Sequence, residues 1–190
     1  MEKSKKTYKL TLSAVFVALA SVLSLIKVYK LPLGGSVTLF SMVPIILIGL
    51  FLGISWGMAS SFCYSLIQLF FGIVIDGVLG WGLTPLSLIG TIFLDYILPF
   101  ALLGLVALSR KGGRVGIGIG VAIVMLLRFL CHFVSGVIIF DIWCEWKNVP
   151  LYSLCYNGSF MLPELIFTAI AVMIILSLPQ TKRLFEKMFF

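Results

Sequence analysis

Four ionisable side chains, Asp95, Arg128, His132 and Glu164, stand inside apolar stretches long enough to cross a lipid bilayer. Charge in hydrocarbon is costly, so such groups face a bundle interior or a cavity, where they pair with one another or with a ligand. Arg128 and His132, four residues apart, share one helical face. Arg128 can neutralise Glu164 or Asp95 in a structural ion pair, and His132 can offer its ring to a ligand. Glu164 follows Pro163, which reads as a helix start, where proline is tolerated and a carboxylate complements the helix dipole. Asp95 has no basic residue within a helical turn, which leaves a distant partner or a cationic ligand. Together these residues predict a polar recognition site inside a membrane protein.

The elements that must position them follow from composition. The chain has 190 residues, of which 61% are hydrophobic and only 11% charged, against about a quarter charged in soluble domains. Its mean hydropathy is +1.19. Six apolar segments are separated by turn residues and charges, near 10–28, 37–54, 56–75, 85–109, 115–140 and 160–179. This predicts an all-α integral membrane protein, a single domain built as a bundle of six transmembrane helices, with no room for a soluble catalytic or ATPase domain. The first segment lacks a small-residue cleavage site and exceeds the apolar region of a signal peptide, so it reads as a permanent span.

Orientation comes from the basic residues. Lys3, Lys5, Lys6 and Lys9 precede the first segment, Arg110, Lys111 and Arg114 separate the fourth and fifth, and Lys182, Arg183 and Lys187 follow the sixth. Only Lys27, Lys30 and Lys147 fall on the other side, so the positive-inside rule predicts both termini in the cytoplasm. The net charge of +7 is then a topology signal and a contact with lipid headgroups, with no nucleic-acid partner implied. Counting rise per residue puts Arg128 about 20 Å and His132 about 26 Å up a core of about 30 Å, and Asp95 about 15 Å below its outer surface. Glu164 falls about one turn deep, beneath a long outer loop from Asp141 to about Gly158 that carries Tyr152, Tyr156 and Asn157. Three spans and a loop thus converge on the outer half, which suits capture of a solute from outside.

Other motifs carry less. Cys63, Cys131, Cys144 and Cys155 have no zinc-ligand spacing and the chain has one histidine, so neither a metal nor another cofactor is expected. A disulfide between Cys144 and Cys155 is open. No phosphate-binding loop or hydrolase motif occurs; Gly116, Gly118 and Gly120 read as helix-packing residues. Ala14, Ala18 and Ser21 share one face of the first span, a small-residue stripe for packing within the bundle or for docking a second membrane protein.

Four ordered blocks, "LPLGGSVTLFSMVPI" (31–45), "LDYILPF" (94–100), "RFLCHFVSG" (128–136) and "LYSLCYNGSFMLPE" (151–164), resemble the thiamine-specific substrate-binding subunits, or S components, of energy-coupling factor (ECF) vitamin transporters. The resemblance runs over nearly the whole chain. It implies a six-helix membrane subunit that binds thiamine from outside and topples to deliver it, powered by a transmembrane coupling subunit and two cytoplasmic ATPases. It also implies that Ala14 and Ala18 contact the coupling subunit.

By the same resemblance the intramembrane acid and following tyrosine are Asp95 and Tyr96, the histidine of span five is His132, and the tyrosine and asparagine before span six are Tyr152 and Asn157. Thiamine suits them: its thiazolium is a permanent cation that wants a carboxylate and aromatic faces, and its aminopyrimidine edge wants donors and acceptors. Glu164 is kept as a further binding candidate. Family members can carry glutamate where Asp95 stands, and a tryptophan where Phe140 stands, with Trp143 as the nearby substitute. Tyr29 and Trp81 are the nearest aromatic candidates in the loops before spans two and four. Lys147 is the one spare outer cation, which favours unphosphorylated thiamine. The alternatives are another vitamin such as riboflavin, a thiamine precursor, or a small intramembrane enzyme or facilitator.

Overall fold

The computed structural model describes residues 2–31, 34–181 and 183, with residues 2–4 as backbone only. Lys182, Lys187, the side chain of Lys3, and Pro32 and Leu33 of the first block lie outside the described residues. Helix α1 spans Glu2–Leu25 and is followed by a small antiparallel ribbon, β1 (Lys27–Lys30) and β2 (Ser36–Thr38). Helix α2 spans Met42–Leu52, α3 Ile54–Val74, α4 Pro85–Ser109, α5 Gly113–Ile138 and α6 Val149–Ser177. Among the described residues five of these helices are long and apolar enough to cross a membrane, and α2 is shorter.

Besides the early start of α1 at Glu2 against an expected start near residue 10, two segments differ from the sequence reading. The segment expected over 37–54 contributes a strand first and a helix of only 11 residues, about 16 Å long and well short of the bilayer core. Apolar on every side, α2 is buried at ten of its positions, as a helix without a polar face must be. The larger correction concerns the sixth segment, expected over 160–179 behind a loop. Helix α6 begins at Val149, where the Asn148 side chain accepts from the Leu151 N–H at 3.0 Å and Pro150 occupies the first turn. Pro163 and Glu164 are therefore mid-helix, and Tyr152, Tyr156 and Asn157 stand on a helix rather than a loop.

The core gathers around α2, with Ile45, Ile46, Leu50, Leu103, Val106, Val121 and Val172 fully buried. Three glycines let α2, α3 and α4 meet backbone to backbone: a Cβ on Gly57 would lie 2.8 Å from Gly49 Cα and 3.1 Å from the Gly104 carbonyl. Such small-residue contacts are how helices associate where lipid gives no hydrophobic drive. Of the glycines expected to pack helices in α5, Gly120 presses on Ser109, whereas Gly116 and Gly118 have nothing closer than 3.9 Å. The outward faces carry exposed Phe70, Leu86, Leu108 and Val115, the surface expected against acyl chains. Ala14 and Ala18 are exposed on α1, while Ser13, Val17, Ala20 and Ser24 form its buried face. The two alanines of the small-residue stripe are thus not consumed by packing inside the chain, whereas Ser21 is half-buried.

Helix α4 is irregular where it matters. It opens with Thr84 capping the Ser87 N–H at 3.2 Å. Over Ile92–Ile97 it widens to a π-helical turn, in which the Leu98 N–H reaches back to the Phe93 carbonyl. The cause is local: Pro99 has no N–H to return to the Asp95 carbonyl and its ring crowds that turn. Such π-turns re-aim side chains, and this one carries Asp95 and Tyr96.

Candidate binding site

A cavity opens at the end of the bundle that carries the β-ribbon, walled by α3, α4, α5, α6 and the ribbon itself. Its lining includes Asp95, Tyr96 and Phe100 from α4, Arg128 and His132 from α5, and Tyr152, Tyr156, Asn157 and Phe160 from α6, with Trp81 and Phe140 near the mouth.

The polar centre is a three-way contact. His132 Nδ1 lies 2.8 Å from Asp95 Oδ1, and the Ser135 hydroxyl donates to Asp95 Oδ2. With Asp95 ionised, Nδ1 must carry the hydrogen, so a neutral imidazole presents Nε2 as an acceptor. Nε2 is buried and has no hydrogen-bond partner among the described residues. The depth count had separated Asp95 from His132 by about 11 Å. Their direct contact reflects helices that are not matched to one slab: α5 has 26 residues, about 39 Å, and extends beyond a core of about 30 Å. Asn157 uses its amide nitrogen on the His132 carbonyl at 3.2 Å and on Ser153 O at 3.0 Å, clamping α6 to α5 beside the histidine.

One turn further in, Arg128 pairs with Glu164 rather than Asp95. The other Glu164 oxygen accepts from the Thr38 hydroxyl at 2.5 Å and the Thr38 N–H at 3.3 Å, and Thr38 in turn contacts Ser41 Oγ at 2.6 Å. The Arg128 guanidinium lies 4.8 Å from the centre of the Phe100 ring. Glu164 is not among the residues lining the cavity; it ties the ribbon to α5 and α6 from behind the wall. Both Glu164 oxygens are engaged in this way, which leaves Asp95 and the lysine-held Asp76 as the carboxylates lining the cavity among the described residues.

Aromatic rings form two walls. On α6, Tyr152, Tyr156 and Phe160 recur every four residues; Tyr152 stacks on Tyr156 with centroids 6.0 Å apart, and Phe160 meets Tyr156 at 5.9 Å and His132 at 6.3 Å. Opposite, Trp81 packs on Phe140 at 5.9 Å, and Trp143 supports Phe140 from behind at 5.5 Å without lining the cavity. Tyr29 points away on β1 and is exposed. At the rim, Asp76 receives Lys27 at 2.9 Å and Lys30 at 3.1 Å, and its carbonyl accepts the Trp81 indole N–H at 3.1 Å. This clasp joins the ribbon to the loop that holds Trp81. The cations in the lining are thus Lys27, held by Asp76, and Arg128, held by Glu164, rather than Lys147, which is exposed and outside the lining. All four cysteines are free thiols.

Sequence reasoning overlooked Phe160, Gly72, Ser135 and the Lys27–Asp76 clasp, and gave Tyr156 no role. The signal for Tyr156 and Phe160 was present in the spacing 152, 156, 160, which becomes a face only once the segment is helical. Gly72 is recognisable only in three dimensions: it lies flat against the Tyr96 ring.

Comparison with known proteins agrees with this architecture. The Thiamine transporter ThiT of Bacillus subtilis (strain 168) is 29% identical over 188 residues, covering 90% of this chain and 92% of that protein. The solved structure of ThiT from Listeria monocytogenes superposes with a TM-score of 0.74 at 21% identity, over 95% of this chain and 98% of that one, and so shares the fold. The model of the family described as thiamine transporter protein (Thia_YuaJ) matches residues 10–185. The chain belongs to the thiamine transporter protein family.

Proposed function

We propose that the protein is the thiamine-capturing S component of an ECF-type importer and that the cavity is its binding site. Membership of a transporter family makes it a multi-pass protein of a bacterial cell membrane and a transport subunit rather than an enzyme. The observation that carries the site assignment is Asp95: a carboxylate lining an aromatic cavity, bonded to a histidine and a serine and, among the described residues, to no lysine or arginine. A cationic ring is the complement of that arrangement.

In this reading the thiazolium lies near Asp95, between the faces of Trp81 and Phe140 and those of Tyr96, Tyr152 and Tyr156. His132 Nε2 and the amide oxygen of Asn157 meet polar edges of the ligand. Trp143 acts through Phe140, and Glu164 acts as an anchor for the ribbon rather than as a ligand contact. The single domain crosses the membrane with both termini in the cytoplasm, so the cavity opens outward. The exposed Ala14 and Ala18 suit close approach of a transmembrane coupling subunit, with two ATPases behind it. The test is a tryptophan-fluorescence titration of detergent-purified protein with thiamine, with riboflavin as control. Saturable quenching by thiamine alone supports the reading; a response to riboflavin and none to thiamine overturns it.

A further inference from the structure

We infer that Ser135 is a positioning and specificity residue for the cation: it holds Asp95 in place as a carboxylate without cancelling its charge. The inference rests on the thiamine reading above. Among the described helical serines, most of those that donate a hydroxyl hydrogen return it to their own helix, Ser153, which donates to the Phe133 carbonyl of α5 at 2.8 Å, being an exception beside Ser135. Ser21 donates to Val17 O at 2.8 Å, Ser65 to Phe62 O at 2.7 Å, Ser109 to Val106 O at 2.7 Å, Ser159 to Tyr156 O at 2.7 Å and Ser177 to Met173 O at 2.7 Å. That local bond is the default for a serine in apolar surroundings. Ser135, fully buried on α5, gives it up and donates across the interface to Asp95 Oδ2.

The geometry explains the gain. Ser135 and His132 are one helical turn apart on α5, so they hold the two Asp95 oxygens separately and fix the carboxylate plane. A hydroxyl donating to an ionised acceptor forms a bond about twice as strong as a neutral one. It brings no charge of its own. A lysine or arginine in the same place would pair with Asp95 and erase the negative site; a serine stabilises the charge and leaves it for the ligand. Ser135 does not line the cavity, so its effect on a ligand must pass through Asp95.

The test is a double-mutant cycle by titration calorimetry on the full-length protein in detergent. Unmodified protein, Ser135→Ala, Asp95→Asn and the double variant are titrated with thiamine and with an analogue whose thiazolium is replaced by a neutral thiophene. Ser135→Ala is expected to weaken thiamine about tenfold or more, the range for a bond to a charged group. It should change affinity for the neutral analogue less than about twofold, and thiamine affinity in the Asp95→Asn background by a similarly small factor. Unaltered thiamine affinity in Ser135→Ala, or an equal loss for both ligands or in both backgrounds, overturns the inference and makes Ser135 an ordinary packing residue. If the unmodified protein fails to bind thiamine, the ligand assignment itself falls; if it binds and Ser135→Ala binds equally, only the role of Ser135 falls.

Discussion

Replacing Gly72 with alanine adds one methyl group and should damage the site without touching a polar atom. The added Cβ would lie 2.5 Å from the Tyr96 hydroxyl oxygen and closer still to two carbons of that ring, against 3.4–4 Å for ordinary contact. The ring must therefore retreat by about 1 Å, a typical overpacking event with a cost of about 1–3 kcal/mol. Gly72 is buried on α3 and Tyr96 follows Asp95 on the π-helical turn of α4. The open side of the ring is the cavity, so the displacement is directed into the ligand space and strains the turn that aims Asp95. If most of the cost falls on binding, thiamine affinity drops by about tenfold or more, since 1.4 kcal/mol is a factor of ten. Titration calorimetry reads that loss, and a thermal melt of the ligand-free protein in the same detergent reads the part of the cost that falls on stability. Unchanged affinity in Gly72→Ala would refute the reasoning, because it would mean that the position of Tyr96 does not matter to the ligand.

The Arg128–Glu164 pair is structural in this account, so its variants should act on stability first. Arg128→Met leaves Glu164 as an uncompensated buried carboxylate and should destabilise by about 3–5 kcal/mol, measured by denaturation in detergent. The double variant Arg128→Met with Glu164→Leu removes both charges and should recover part of that loss, the remainder being the Thr38 bonds that Glu164 accepts; a double variant less stable than the single one would contradict the pairing.

Much of the fold was legible because a membrane span has a simple signature. Apolar length located α1, α3, α4 and α5 to within a few residues, apart from the early start of α1 at Glu2. The first turns of α6 defeated it. Tyr152, Ser153, Asn157, Gly158 and Ser159 give a polar stretch that resembles a loop, although several of these side chains are turned into the cavity or onto α5. The capping pair Asn148 and Pro150 did mark a helix start, while Pro163 looked like a better one. The ribbon was missed for a different reason: β1 and β2 have four and three residues, too short for alternation to stand out from apolar flanks.

The site divides along similar lines. Asp95 and His132 stood out because ionisable groups in hydrocarbon need a partner, and the structure supplies that partner in each other. Ser135 and Gly72 gave no such sign. A serine in a span usually bonds its own helix and a glycine usually serves packing, and both acquire meaning only through a neighbour on another helix. The π-helical turn was equally hidden, though Pro99 four residues after Asp95 is its cause.

Recognition of a cation by Asp95 is tested by the thiamine affinity of Asp95→Asn against that of the unmodified protein, read by titration calorimetry. A unit charge about 4 Å from its partner at an effective dielectric constant of 20 is worth about 4 kcal/mol before desolvation, so a net loss of about 100-fold is expected. Asparagine keeps the shape of the side chain, and the thermal melt should stay close to that of the unmodified protein. An affinity within about twofold of the unmodified protein would contradict the account, since the carboxylate would then hold the helices together without meeting the ligand's charge.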